Sequence, residues 1–134
     1  MKNNYLVFRL KPGSDLYEGI LKACAEADLK AGAVISAVGC VSKVAFRKAD
    51  GKTIHQETTD FEVTALSGTI SEAGMHLHIQ LCDQQLRSIG GHLCPGTIVN
   101  TTMEIVVVNL EREFQMTREA DIATGYDELL VIKK

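Results

Sequence analysis

Three of the four histidines in this chain lie in two short segments whose spacing could build a metal site. His76 and His78 are two residues apart in a run that alternates with leucine and isoleucine, a pattern typical of a β-strand. Side chains at i and i+2 of a strand point to the same face, so these two imidazoles should stand side by side. His92 follows farther along, directly after Gly90 and Gly91. Three imidazoles with an open fourth position are a common arrangement for zinc.

The glycines before His92 favour convergence of the three rings, because a residue without a Cβ lets the backbone bend sharply and approach a neighbour closely. Zinc is the expected ion, although nickel, copper and ferrous iron also suit three imidazoles. Cys82 and Cys94 are close enough in sequence to supply a fourth ligand, but a buried free thiol is the commoner role of such cysteines. The alternative for the histidines is a set of polar residues on a solvated or subunit-facing surface.

Glu104 is a further candidate for chemistry, because it is a carboxylate in the middle of a β-branched run. Burying a carboxylate without a partner is costly. Glu104 could be a general acid or base, a hydrogen-bond partner of a ligand histidine, a salt bridge between subunits, or an ordinary exposed charge. The chain contains no nucleophile elbow, phosphate-binding glycine loop or dinucleotide fingerprint, so nothing points to covalent or nucleotide chemistry.

Length and composition restrict the class of protein. A chain of 134 residues, 46% of them hydrophobic, suits one domain covering residues 1–134. No apolar run approaches the roughly 18 residues that span a membrane. The first residues lack the apolar stretch of a secretion signal, so we expect no membrane contact and a cytoplasmic location. The net charge of -3 argues against strong binding to nucleic acid. Lys43, Arg47, Lys48 and Lys52 are a basic exception that suits a solvated hairpin tip.

Hydrophobic periodicity predicts one main helix and about seven strands. The helix is predicted over 15–29, where Asp15 and Glu18 resemble a capping box. The predicted strands cover 5–10, 33–46, 53–57, 61–70, 75–82 and 97–110, with short closing strands at 114–117 and 129–132. This pattern indicates an α+β domain with a mostly antiparallel sheet. One helix covers only part of such a sheet, and we expect another subunit to cover the rest.

Several segments, taken together and in order, resemble the plants-and-prokaryotes conserved (PPC) domain, and the chain is most similar to its stand-alone prokaryotic members. The resemblance spans nearly the whole chain. The matching pieces are Arg9-Leu10-Lys11-Pro12-Gly13, Ala31-Gly32-Ala33-Val34, the segment from Phe61 to Thr69, His76-Leu77-His78 with Asp83, Gly90-Gly91-His92-Leu93 with Gly96, and Thr102 with Glu104.

This resemblance implies a fold, an assembly and a set of site residues. The implied fold is α+β with a mainly antiparallel sheet of about seven strands, and the implied assembly is a homotrimer. Some members hold a metal at the positions of His76, His78 and His92, and in plant members the segment like Phe61-Glu62-Val63 is linked to partner binding. The fold also resembles that of acetolactate decarboxylase, a zinc enzyme that uses three histidines.

Two functions follow from the resemblance. The first is a DNA-associated regulatory or interaction protein, because prokaryotic relatives are often described in this way. The second is a metal-dependent enzyme acting on a small carbonyl-containing molecule, with Glu104 as acid or base. The chain lacks the AT-hook of plant members and has Thr59-Asp60 where their motif has Gly-Arg. On the description of relatives alone, the DNA-associated role stands marginally first.

Overall fold

The computed structural model describes residues 1–134 and contains one helix and nine strands. The elements are β1 (Tyr5–Leu10), α1 (Leu16–Glu26), β2 (Ala31–Arg47), β3 (Ile54–Glu57), β4 (Phe61–Ser71), β5 (Gly74–Asp83), β6 (Ser88–Leu93), β7 (Ile98–Asn109), β8 (Phe114–Ala120) and β9 (Asp127–Lys133). Seven strands form one antiparallel sheet, and β8 and β9 form a separate hairpin. The predicted α+β class with a single helix is confirmed.

The main sheet has the strand order β1-β7-β2-β4-β5-β6, and β3 pairs with β2. The long strand β2 also pairs with β6, through Phe46 with Leu93 and Arg47 with His92. Strands β2, β4, β5 and β6 therefore close into a ring, while β7 and β1 extend the sheet from the other side of β2. Closure gives β6, the strand that carries His92, a second neighbour at the end next to that residue.

The helix begins where Asp15 accepts a hydrogen bond from the backbone N–H of Glu18, at 3.0 Å. The apolar side chains that recur at helical spacing are buried on one side of the helix, facing the sheet: Leu16, Ile20 and Cys24. The helix ends at Glu26, earlier than predicted, because Asp28 adopts a left-handed conformation with φ of 50°. With 11 residues, this helix is too short to span a bilayer.

Alternation along β5 separates the core from the candidate site. Leu77, Ile79 and Leu81 are almost completely buried inside the ring of strands. His76 and His78 alternate with these residues and project from the outer face. At the end of β2, Phe46 is buried and the next residue, Arg47, is half-buried.

The segment around Gly90 and Gly91 is a strand, and the sharp bend predicted there is wrong. Both glycines lie in β6 and have no left-handed backbone angle. The predicted close approach is present. A Cβ on Gly90 would lie 2.2 Å from the carbonyl oxygen of Ile79, and one on Gly91 would lie 2.5 Å from that of Arg47. Glycine is required here because the backbones of three strands pack closely.

Candidate metal centre

Two neighbouring strands position the three histidines. His76 and His78 are alternate residues of β5, and His92 on β6 is the direct register partner of His78. Partner residues in antiparallel strands project to the same face, where their Cβ atoms are about 4.5–5.5 Å apart. All three imidazoles therefore meet on the outer face of the sheet.

The distances between the rings are those of a cluster. The Nε2 atoms of His76 and His78 are 3.1 Å apart. The ring centroid of His76 lies 4.9 Å from the ring centroid of His78 and also 4.9 Å from that of His92. The ring centroids of His78 and His92 are 5.7 Å apart. One ring nitrogen from each residue lies within 4.8 Å of the other two. Zinc–nitrogen bonds of about 2.1 Å at tetrahedral angles separate two nitrogens by about 3.4 Å. The distance between the Nε2 atoms of His76 and His78 is close to this value, and the third histidine makes the group a candidate site for one small ion.

An unpaired polar atom supports this fit. The Nδ1 atom of His92 is buried and has no hydrogen-bond partner. Buried polar atoms are nearly always paired, so such an atom calls for a ligand, an ion or a water molecule. His92 is half-buried, whereas His76 and His78 are exposed. The group is thus open to solvent on one side and anchored in the protein on the other.

The surroundings favour the neutral form of two of the imidazoles, His76 and His92. Burial lowers the pKa of His92 to about 4, and the positive charge of Arg47 adds to this effect. Loss of water around the ring is also the main cause of a lowered pKa at His76. Electrostatic repulsion from His78 and Arg118 lowers this pKa further. A neutral imidazole is the form that binds metal ions. These two ligands are therefore ready to bind at neutral pH without losing a proton.

A small cleft lies next to the histidines. It has a volume of about 210 Å³ and is lined by Ser67, Gly68, Thr69, His76 and His78. Gly68 has a φ of 147°, and a Cβ there would lie 1.9 Å from the carbonyl oxygen of His76. The absence of a side chain at this position lets β4 and β5 pair closely at the floor of the cleft.

Glu104 lies apart from the histidine cluster. It is exposed on β7, opposite Arg9 of β1 and Val38 of β2 in the register. Strands β2 and β4 lie between β7 and β5. The structure therefore does not bring Glu104 to the histidines within one chain, and its role as acid or base stays a prediction.

The predicted partner segment and the cysteines have other surroundings. Phe61 and Val63 are buried in the core, which leaves only Glu62 of that segment exposed. All cysteines are free thiols. The Sγ atoms of Cys82 and Cys94 lie near backbone carbonyl oxygens, at 3.7 Å from Asp83 and 3.5 Å from His92, and neither sulfur belongs to the histidine group.

Two arginines near the site were not predicted from the sequence. Arg47 is the register partner of His92, on the strand that closes the ring. Arg118 of β8 donates a hydrogen bond from Nη2 to Oγ1 of Thr69, at 3.2 Å. Arg47 was predicted in a basic hairpin tip, whereas the structure places it at the base of that hairpin. Arg118 carries no local sequence signal, since only the packing of the C-terminal hairpin brings it here.

The chain matches a known protein family over most of its length. Residues 2–111 match the sequence profile of the Plants and Prokaryotes Conserved domain, abbreviated PCC or PPC. The match includes β1 to β7 and all three histidines. The C-terminal hairpin of β8 and β9 lies outside it.

A curated relative has a sequence similar to nearly the whole chain. The bifunctional protein GlmU of Synechococcus sp. strain JA-3-3Ab is 41% identical over 125 residues, which cover 93% of this chain and 20% of that protein. A GlmU from a second Synechococcus strain is 40% identical over 121 residues. The chain therefore spans about a fifth of the length of the curated relatives it matches.

Solved structures share the fold. A hypothetical protein from Salmonella cholerae-suis aligns with a TM-score of 0.92 at 31% identity, over 97% of this chain and 94% of that one. A protein from Bacteroides thetaiotaomicron, provisionally named as DNA-binding, aligns at 0.86 and 19% identity, with coverages of 97% and 94%. A metal-containing protein from Archaeoglobus fulgidus aligns at 0.74 and 24% identity, with coverages of 96% and 94%.

Proposed function

Since the chain belongs to the family of Plants and Prokaryotes Conserved domains, we propose that it is a metal-binding member that holds zinc through His76, His78 and His92. The observation that carries this proposal is the convergence of one ring nitrogen from each histidine within 4.8 Å. The similar fold of a protein described as metal-containing, from Archaeoglobus fulgidus, agrees with it. Three neutral imidazoles with an open position suit a catalytic rather than a fully closed structural zinc site.

The proposed activity is chemistry on a small carbonyl-containing molecule. A zinc ion bound by three histidines polarises a carbonyl or activates water. In this chain the histidines would hold the ion, and the cleft lined by Ser67, Gly68 and Thr69 would admit the small molecule beside it. We rank this activity above DNA association, which reverses the order implied by the descriptions of relatives. The reason is that the three histidines lie together in the structure, whereas the net charge of -3 opposes binding to DNA.

Zinc stoichiometry tests the metal-binding part of the proposal. The protein, prepared without chelator, is loaded with zinc, passed through a desalting column and analysed for metal. We expect about one zinc per chain, because tight zinc sites survive such handling. Less than about a tenth of an equivalent would contradict the proposal, since the histidines would then hold zinc too weakly for a resident ion.

We further propose that the chain forms a homotrimer through an outer apolar face on β1, β2 and β7. Tyr5, Val7 and Val38 are 56%, 69% and 61% exposed on this face, and Val106 lies between them as a register partner of Val7. A contiguous apolar surface of this kind is typical of a protein interface. Glu104 lies on the same face, so its predicted salt bridge between subunits is the role we favour for it.

DNA association is the second candidate. An exposed hairpin tip carries Lys48 and Lys52, and a trimer would present three copies, which allows weak multivalent binding. The overall charge of -3 opposes it. A gel-shift experiment at low salt with several duplex sequences distinguishes the cases. No shift at tens of micromolar protein would exclude DNA as a partner, because even non-specific DNA binding has a dissociation constant of about 1–100 micromolar.

A further inference from the structure

Two arginines without acidic partners lie beside the histidine cluster. Arg47 shares the outer face with His92, and Arg118 reaches the same face through Thr69, the register partner of His76. Neither arginine belongs to any of the ion pairs in the structure.

Each guanidinium is held in place but retains binding capacity. Arg47 stacks over the ring of Tyr126, with its Cζ atom 5.5 Å from the ring centroid. Arg118 donates from Nη1 to the backbone oxygen of Asp127, and its Nε atom is buried without a partner. An arginine has five N–H donors, so donors remain on both side chains. The C-terminal hairpin, which lies outside the family match, supplies both Arg118 and Tyr126.

A divalent ion at the histidines would create a strong excess of positive charge. Imidazoles bind a metal ion in their neutral form and so would not offset its charge, and two guanidinium groups lie nearby. Glu128 of β9 acts on His76 with the opposite sign and would offset part of this charge. Such an arrangement favours an anion at the site, because opposite charges attract strongly where water is partly excluded.

We propose that the open face of the histidine cluster, between Arg47 and Arg118 and next to the cleft, binds a small carboxylate with a second oxygen donor on the adjacent carbon, held jointly by the metal ion and by the two arginines. This inference rests on the metal centre proposed above and names its ligand class. The planar guanidinium matches a carboxylate through paired hydrogen bonds. The cleft of about 210 Å³ is smaller than most drug-sized ligand pockets of about 300–1,000 Å³. A second oxygen donor would use the coordination positions that three imidazoles leave open.

Pyruvate is a suitable probe, because it carries a carbonyl oxygen next to its carboxylate. Protein loaded with cobalt(II) in place of zinc is titrated with pyruvate, and binding is followed by the visible cobalt absorption and by calorimetry. Propionate lacks the second oxygen donor and is the matched ligand. We expect propionate to bind at least about tenfold more weakly, because it lacks the oxygen that closes a five-membered chelate ring with the metal ion. Equal binding of the two acids would overturn the requirement for a second oxygen.

Three variants test the arginines. We expect Arg47→Gln and Arg118→Gln each to weaken pyruvate binding about tenfold, since each removes one charge-assisted hydrogen bond. Cobalt binding should be kept or tightened, because a repelling charge is removed, and this also shows that the site is folded. Arg112→Gln removes an exposed arginine that bonds the backbone of Lys2, and it should leave pyruvate binding unchanged.

The possible failures are distinguishable. If cobalt binds but pyruvate affinity is the same in Arg47→Gln, Arg118→Gln and the unmodified protein, the carboxylate site is overturned and the metal centre stands. Tighter binding of inorganic phosphate than of pyruvate would overturn the assignment to a carboxylate. If neither cobalt nor zinc binds, both the metal centre and the ligand class are overturned.

Discussion

His78 and His92 face each other as register partners on β5 and β6, although a turn and two glycines separate them in sequence. This pairing turns two separate histidine segments into one cluster. Asp83 fixes the turn between the strands by accepting hydrogen bonds from the backbone N–H groups of Gln85 and Arg87, both at 2.9 Å. The geometry of the site therefore depends on the β5–β6 turn as much as on the histidines.

Replacing one histidine should greatly weaken zinc binding. We expect His78→Ala to reduce zinc affinity by more than the roughly 10–100-fold that loss of an outer-shell partner costs, because a direct ligand is removed. Competition with a chromophoric chelator measures this affinity. His55→Ala is the matched control, because His55 pairs with Glu57 on β3, away from the cluster. Equal loss in both variants would show that the effect does not come from the cluster.

Gly90→Ala should weaken zinc binding without removing any ligand. The new Cβ would lie 2.2 Å from the carbonyl oxygen of Ile79 and would push β6 away from β5. We expect a loss of about 1–3 kcal/mol in the free energy of unfolding, as in other overpacked sites, together with lower zinc affinity. Urea unfolding and chelator competition measure the two quantities. Ser88→Ala, on the same strand, should change both only slightly, and unaltered zinc affinity in Gly90→Ala would contradict the role of the close β5–β6 packing.

Val7→Lys should dissociate the proposed trimer. Val7 is 69% exposed on the outer apolar face, and a lysine there would place a charge inside the interface. Light scattering should give the mass of three chains for the unmodified protein and of one chain for the variant. Ile122→Lys is the control, because Ile122 is fully exposed on the turn between β8 and β9. A monomeric mass for the unmodified protein at micromolar concentration would refute the trimer.

Arg87→Gln should make stability less dependent on pH in the acidic range. Arg87 holds the pKa values of Asp83 and Glu57 below their usual range, chiefly through hydrogen bonds to their carboxylates. The resulting stabilisation is present above the ordinary carboxyl pKa values near 4 and is lost as pH falls through the lowered values. The variant should thus be less stable at pH 7, and its difference from the unmodified protein should shrink below pH 4. Urea unfolding at several pH values measures this difference.

Lys22→Gln is the control for this experiment. Lys22 pairs with Glu26 on the exposed surface of the helix, and such pairs contribute little. It should follow the unmodified protein at every pH. A difference between Arg87→Gln and the unmodified protein that stays constant from pH 7 to pH 3 would mean that the carboxylates are not the source of the effect.

The sequence predicted local features of the site better than long-range ones. The side-by-side arrangement of His76 and His78 follows from the two-residue period of a strand, and the structure confirms that both share one face. The helix cap at Asp15 was likewise readable from local spacing. The strand character of β6 was missed, because two glycines weaken every strand signal and are more typical of a bend.

Features formed by distant segments were beyond sequence reasoning. Arg47 meets His92 only because β2 is long enough to pair with β6 and close the ring. Arg118 reaches Thr69 only because the C-terminal hairpin packs beside β4. Hydrophobic periodicity gives the face of each residue along its own strand, but it does not give the order of strands or the docking of a separate hairpin.

A crystal of the zinc-loaded protein, measured on both sides of the zinc absorption edge, tests the central claim most directly. We predict one anomalous peak per chain, within about 2.0–2.1 Å of a ring nitrogen from each of His76, His78 and His92. A peak at other residues, or no peak after loading with one equivalent of zinc, would contradict the proposed metal centre.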